Sequence, residues 1–163
     1  MPDLILDVGP LADLLAQYFK KENRYSIQFE VDRFLSPKAV QHINYVVSQN
    51  GFQGIIGASA LAFVELVHKW DKITLERFRA YQMASFLEEH PDWFSIEPMD
   101  ETIFPLVAQV PADVTMPDGT TKSIEWADAI HAATTLGRDN GILVTSDEKL
   151  AQIPELRSIF VKV

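Results

Sequence analysis

Residues 124–150, IEWADAIHAATTLGRDNGILVTSDEKL, decide the fold. They read as a helix, a turn, a buried strand and an acidic loop. Ala127, Ala129, Ala132 and Ala133 favour a helix, and Ile130 aligns with Ala127, Ala133 and Thr134 at helical spacing. Gly137, Arg138, Asp139, Asn140 and Gly141 make the turn, with glycine as terminator. Ile142-Leu143-Val144 is the short apolar run of a strand buried on both faces. Asp147 follows at its carboxyl end, where ligands bind in open α/β sheets. Asp128 lies one helix earlier.

Working outward, Leu4-Ile5-Leu6-Asp7 is a first strand closed by an acid. Leu11, Leu14, Leu15, Tyr18 and Phe19 form the apolar stripe of the next helix. Lys20, Lys21 and Arg24 either complement that helix's carboxyl end or form an RNA-contacting patch. Period-two alternation over Ser26–Val31 predicts a half-buried strand at a sheet edge, with a helix extending through Asp32 to Leu35 as the alternative. Ser36 caps and Pro37 opens a helix that carries Val40, Ile43, Tyr45, Val46 and Val47 and stops at Asn50-Gly51. Gly54–Gly57 predicts the second strand, and Ser59 caps a helix with Leu61, Phe63, Val64, Leu66 and Val67 around most of its girth. Glu65 in that apolar setting must be paired, metal-bound or protonated.

A polar helix is expected over Thr74–Glu89, a short strand at Trp93–Ile96 and a helical segment over Glu101–Val110. Val114 to Thr121 reads as a hairpin about Pro117-Asp118-Gly119. Ile159-Phe160-Val161 closes the sheet. Strands near 4–7, 54–57, 142–145 and 159–162 alternating with helices predict an α/β fold with a mostly parallel sheet and helices on both faces. With 163 residues, 47% of them apolar, the expectation is a single domain over 1–163. No apolar run reaches the roughly 20 residues of a membrane span. Met1-Pro2-Asp3 lacks the features of a secretory peptide, so a cytoplasmic protein is expected. The chain has no cysteine, which excludes disulfides, thiolate nucleophiles and zinc–thiolate sites. No GxGxxG or P-loop pattern occurs among the glycines from Gly51 to Gly57.

Asp7, Glu65, Asp128 and Asp147 form the candidate site. Carboxylates gathered at one sheet edge repel one another unless a hard dication neutralises them, and Mg²⁺ or Mn²⁺ prefers such oxygen ligands. A metal so held can ionise water for phosphodiester hydrolysis. The net charge of −9 argues against a generic nucleic-acid binder, although acid concentrated at a cation site is a second explanation of it. His68 and His131 each follow an acid by three residues, a spacing also used in di-iron helical bundles, but strands ending in acids have no place in a bundle. Trp126 is assigned to packing beside its helix rather than to stacking on a base. Asp3 is at the wrong end of its strand for the site, and Glu125 and Glu148 are assigned to the surface.

The chain resembles the PIN-domain nucleases, including the VapC-like ribonuclease toxins of toxin–antitoxin modules. The pieces that carry the resemblance are Ala62-Phe63-Val64-Glu65-Leu66, Trp126 to Ala133 and Leu143-Val144-Thr145-Ser146-Asp147. The acid closing the first strand matches Asp7, the glutamate after the second strand matches Glu65, and the later two motifs match Asp128 and Asp147. The resemblance implies a three-layer α/β sandwich with four to five central strands. It also implies Mg²⁺ or Mn²⁺ on these four residues, RNA as substrate, an antitoxin partner and a homodimer. Two departures stand out. Val8-Gly9 replaces the Thr or Ser, then Asn, that often follows the first acid, so a supporting hydroxyl is missing there. The hairpin within 113–122 is longer than expected, and either touches RNA or a partner or is a solvent loop. An alternative keeps the fold and drops catalysis, leaving a binding or regulatory module.

Overall fold

The computed structural model describes residues 2–20, 27–69 and 80–163. In chain order its elements are β1 (Leu4–Leu6), α1 (Val8–Lys20), α2 (Pro37–Ser48), β2 (Ile56–Ser59), α3 (Ala60–His68), α4 (Ala80–Glu88) and β3 (Phe94–Glu97). After a 3-10 turn at Glu101–Ile103 come α5 (Phe104–Val107), β4 (Asp113–Thr115), β5 (Thr121–Ser123), α6 (Trp126–Leu136), β6 (Ile142–Thr145), α7 (Glu148–Ala151) and β7 (Arg157–Phe160). Five strands form one sheet in the order β3-β2-β1-β6-β7, every neighbouring pair parallel. The mostly parallel α/β sheet expected from the strand–helix alternation is therefore present, and it rules out the all-helical di-iron alternative.

Successive residues of a strand point to opposite faces, and here each face has its own core. Leu4, Leu6, Ile56, Ala58, Ile142 and Val144 pack with α1 to α4. Ile5 and Leu143 face the other way, onto Ala132 of α6 and Leu150 of α7. Burying such a leucine or isoleucine fully contributes about 1.5–3 kcal/mol relative to leaving it exposed. With both faces covered, the run Ile142-Leu143-Val144 is apolar at every position, as its composition predicts.

Several expectations shift. β2 begins at Ile56 instead of Gly54, because the Ile55 N–H is taken by the Asp3 carboxylate at 2.9 Å. β7 begins two residues early, at Arg157, although the ladder continues through the Val161 N–H to the Thr145 carbonyl. The proposed strand over residues 26–31 is not a strand in its described part, Ile27–Val31. Its alternation holds over residues 27–30, with Ile27 and Phe29 buried and Gln28 and Glu30 exposed, and fails at Val31, which is exposed. Side-chain amides replace the neighbouring strand: Asn44 brackets the Phe29 N–H and C=O at 2.7 and 3.0 Å, and Gln17 does the same to Glu30 at 2.8 and 2.9 Å. Ser26, Lys21 and Arg24 lie outside the described residues, as does the first part of the helix expected from Thr74. Met83 and Phe86 of α4 are buried, whereas Leu87 is exposed.

α2 starts as read, with the Ser36 hydroxyl accepting from the Ala39 N–H, and ends at Ser48, just before Asn50 and Gly51 turn the chain with positive φ. Glycine at 51 suits that left-handed turn. The helical segment expected over Glu101–Val110 is shorter, the 3-10 turn leading into α5. The hairpin expected after Asp113 is present as the antiparallel pair β4–β5. It is not a solvent loop throughout: Val114 and Met116 are buried in the second core with Ile5 and Leu143. Asp3 has a structural role, since Arg138 Nε lies 3.0 Å from its carboxylate and Arg138 Nη1 lies 2.9 Å from Glu97. One guanidinium thus ties the start of β1 to the end of β3. Arg138→Met is expected to lower the unfolding free energy by about 1–2 kcal/mol in a urea titration, because it leaves two half-buried carboxylates without their cation. An unchanged midpoint would show that Asp3 and Glu97 are satisfied without the guanidinium.

Candidate functional site

Parallel strands end on one edge, and the edge where β1, β2 and β6 end gathers the four acids. Asp7 follows β1 directly. Its Oδ1 accepts the Val8 N–H at 2.8 Å, at the mouth of α1, and its Oδ2 accepts the Thr145 hydroxyl at 2.8 Å. Thr145, the last residue of β6, is fully buried, and its hydroxyl oxygen also accepts the Asp147 N–H at 3.0 Å. Asp147 caps α7, its Oδ1 accepting the Lys149 N–H at 3.0 Å. Asp128 lies in the first turn of α6. These three acids therefore stand at helix N-termini, where the exposed N–H groups and the helix dipole favour negative charge.

Glu65 comes from α3, which the Ser59 hydroxyl caps through the Ala62 N–H at 3.1 Å. The helix is less enclosed than its sequence suggests, because Val64 and Val67 are 63% and 51% exposed. Glu65 is paired, one of the three states its apolar neighbours imply. Its Oε1 lies 2.7 Å from His131 Nε2, and Lys69 Nζ is 3.9 Å from Oε2. The hydrogen bond and charge of His131 hold the Glu65 carboxyl below its ordinary pKa, against the opposing effect of burial.

His131 was set aside in sequence with His68 as a di-iron spacing. The two histidines differ: His68 is exposed, and His131 is only 1% exposed. His131 Nδ1 lies 3.0 Å from the Ser59 hydroxyl, while Nε2 faces Glu65 and lies 3.8 Å from Asp7 Oδ1. Burial alone would disfavour the imidazolium. The Glu65 hydrogen bond and the charges of Asp7, Glu65 and Asp128 outweigh it and raise the pKa above that of a free histidine. This residue thus joins the ends of β2, α3 and β1. Its spacing three residues after Asp128 was the available signal, and its partners are remote in sequence.

Asp128 carries the clearest electrostatic sign of crowding. Burial and then the charges of Asp147 and Asp7 push its carboxyl above the ordinary pKa, with Lys149 and His131 acting in the opposite direction. Lys149 Nζ sits 3.7 Å from Asp128 Oδ2 and 3.9 Å from Asp147 Oδ2. Nothing in the local sequence identifies this lysine as a site residue. All four sequence-predicted acids are thus linked, through Thr145, His131 and Lys149 or through direct repulsion. Glu125 and Glu148 are exposed as expected. Trp126 does not pack beside its helix; it is 70% exposed at the start of α6.

The donors are carboxylate oxygens, and the excess negative charge around Asp128 suits a hard dication of the Mg²⁺ or Mn²⁺ type. Among the described residues, no group of three or more His, Asp or Glu side chains is arranged to hold a metal ion by itself. A metal here would therefore keep several waters, as Mg²⁺ commonly does. Asp7, Asp128 and Asp147 are the residues best placed to hold it, with Glu65 oriented by His131. Among the described residues no helix is long and apolar enough to cross a membrane.

No family model and no curated protein matches the sequence. Among solved structures, the chain is similar to a chain in the crystal structure of VapBC2 from Rickettsia felis bound to a DNA fragment from their promoter. The TM-score is 0.54 at 15% identity, covering 96% of this chain and 97% of that chain. At that identity the likeness is one of fold, and the chain has a PIN-like α/β architecture built on a five-stranded parallel sheet.

Proposed function

We propose that this chain is a metal-dependent ribonuclease, the toxin of a toxin–antitoxin pair, with Asp7, Glu65, Asp128 and Asp147 as its working residues. The observation that carries the reading is the joining of these four acids at the carboxyl edge of the sheet, with the Asp128 carboxyl raised in pKa by burial and then by the charges of Asp147 and Asp7. The PIN-like fold and its likeness to a chain of a VapBC assembly support the toxin role, and with it an antitoxin partner and a dimer.

Bound Mg²⁺ or Mn²⁺ would supply an ionised water at neutral pH and neutralise developing charge on the phosphodiester. The chain's own residues hold the geometry. Thr145 fixes one oxygen of Asp7 and the backbone of Asp147, so the Asp7 carboxylate and the turn that carries Asp147 are tied together. His131 keeps Glu65 ionised and turned inward. Preorganised donors of this kind reduce the reorganisation needed when substrate arrives. In this reading the exposed Trp126, beside Asp128 in the first turn of α6, offers a face on which an RNA base can stack.

The direct test is cleavage of a mixed RNA pool by purified protein with Mn²⁺, Mg²⁺ or EDTA. Cutting is expected with either metal, none with EDTA, and losses of about a hundredfold or more in Asp7→Asn and Asp147→Asn. A folded, partner-free protein that cuts no RNA under any of these conditions would favour the binding-module alternative. The positioning role of His131 is tested separately. His131→Gln is expected to reduce metal affinity and cleavage by about 10–100-fold, as for other groups that orient a metal ligand. If that variant melts like the parent yet binds Mn²⁺ and cuts RNA at the parental level, Glu65 does not depend on His131.

A further inference from the structure

The acid cluster carries its own cation. Lys149 lies on α7 two residues after Asp147, and its ammonium stands between Asp128 Oδ2 at 3.7 Å and Asp147 Oδ2 at 3.9 Å. Both distances exceed a hydrogen bond. The group therefore acts as a counter-charge shared by two carboxylates rather than as a locked donor to either. Its side chain is 23% exposed, against 48% for Lys69 beside Glu65, so solvent screens it less. The burial of Asp128 and its repulsion by Asp147 and Asp7 supply the charge that Lys149 offsets.

A divalent metal would use the same oxygens. Mg²⁺ binds carboxylates at about 2.0–2.1 Å, so an ion on Asp128 Oδ2 would meet the ammonium as a like charge at close range. A lysine has a flexible four-carbon stem and can withdraw. We propose that Lys149 is a tethered counter-ion that competes with the divalent metal for Asp128 and Asp147, so that metal binding requires the lysine to move aside. The inference rests on the metal-site reading of the four acids. It adds that this chain tunes its own metal affinity downward and offsets the mutual repulsion of the two carboxylates when no metal is bound.

Lys149→Met removes the charge while keeping the backbone N–H that bonds Asp147, and Lys122→Met on the hairpin serves as a charge control. In EDTA, Lys149→Met is expected to lower the melting temperature by about 1–4 °C, as loss of a partly buried ion pair would. Adding Asp128→Asn should remove most of that loss, because the repulsion that Lys149 offsets is then gone. Calorimetric titration with Mn²⁺ alone should show affinity about tenfold tighter in Lys149→Met and unchanged in Lys122→Met. Additive melting effects of the two site substitutions would overturn the counter-ion role. Mn²⁺ binding equal to or weaker than that of the parent would overturn the competition while leaving the metal site intact. Mn²⁺ binding by neither protein would overturn the metal-site reading itself, and the competition with it.

Discussion

The Thr145 hydroxyl is where the fold and the site depend on the same atom. It is fully buried at the end of β6, donates to Asp7 at the end of β1, and accepts the N–H of Asp147 in the following turn. Because β1 and β6 are adjacent and parallel, with Leu6 opposite Val144, the two acids arrive at one edge in fixed register. A slip of one residue would turn Thr145 to the other face of the sheet and separate them. The leucines and isoleucines along these strands are thus also what sets the spacing of the carboxylates.

Gathering like charges is costly, and the structure offsets that cost by several means. Asp7, Asp128 and Asp147 sit at helix N-termini, where backbone N–H groups and the helix dipole act on each one locally. Lys149 adds positive charge beside Asp147 and Asp128, and the His131 ring, its pKa raised, bonds Glu65 from a helix distant in sequence. The opposition remains incomplete at Asp128, whose carboxyl stays above its ordinary pKa. A chain selected only for stability would relieve that strain by a single Asp→Asn replacement. Under the proposed function, a bound dication would offset the charge that these groups leave uncompensated. The same concentration of acid gives part of the net charge of −9 a local cause, so that charge does not by itself speak against an anionic substrate.

Much of this was legible in sequence because its signals are local. The strand 142–145, the Ser36 and Ser59 caps, the α1 stripe and the hairpin each follow from a few consecutive residues. The four acids could be placed because each follows a strand or opens a helix. What sequence could not supply were contacts between distant segments. Asn44 and Gln17 satisfy the extended backbone at Phe29 and Glu30, which alternation alone presents as a strand. His131 looked like one half of a helical metal motif until Glu65 and Ser59, 66 and 72 residues away, were seen against its ring. Lys149 gave no signal, since a lysine beside Asp147 is ordinary on a surface turn. Trp126 was misjudged for the converse reason: an indole at a helix start usually packs, and here the hairpin and α6 leave it exposed.

The Val8-Gly9 departure also has a structural explanation. Val8 is buried, and a Cβ at residue 9 would lie 2.7 Å from the Phe34 ring, so glycine is what lets that ring close over α1. Phe34 is held there by its N–H, which donates to the buried Asp13 at 2.7 Å. Val8 is thereby committed to the core and Gly9 to a half-buried contact with Phe34, and a larger side chain at residue 9 would have to displace that ring. Asp7 nonetheless receives a hydroxyl, from Thr145, and a backbone N–H from Val8 itself. The first acid keeps a donor on each oxygen with lone pairs to spare. A missing hydroxyl at position 8 is therefore a weak argument against activity, because the oxygen it would support is already held from the neighbouring strand.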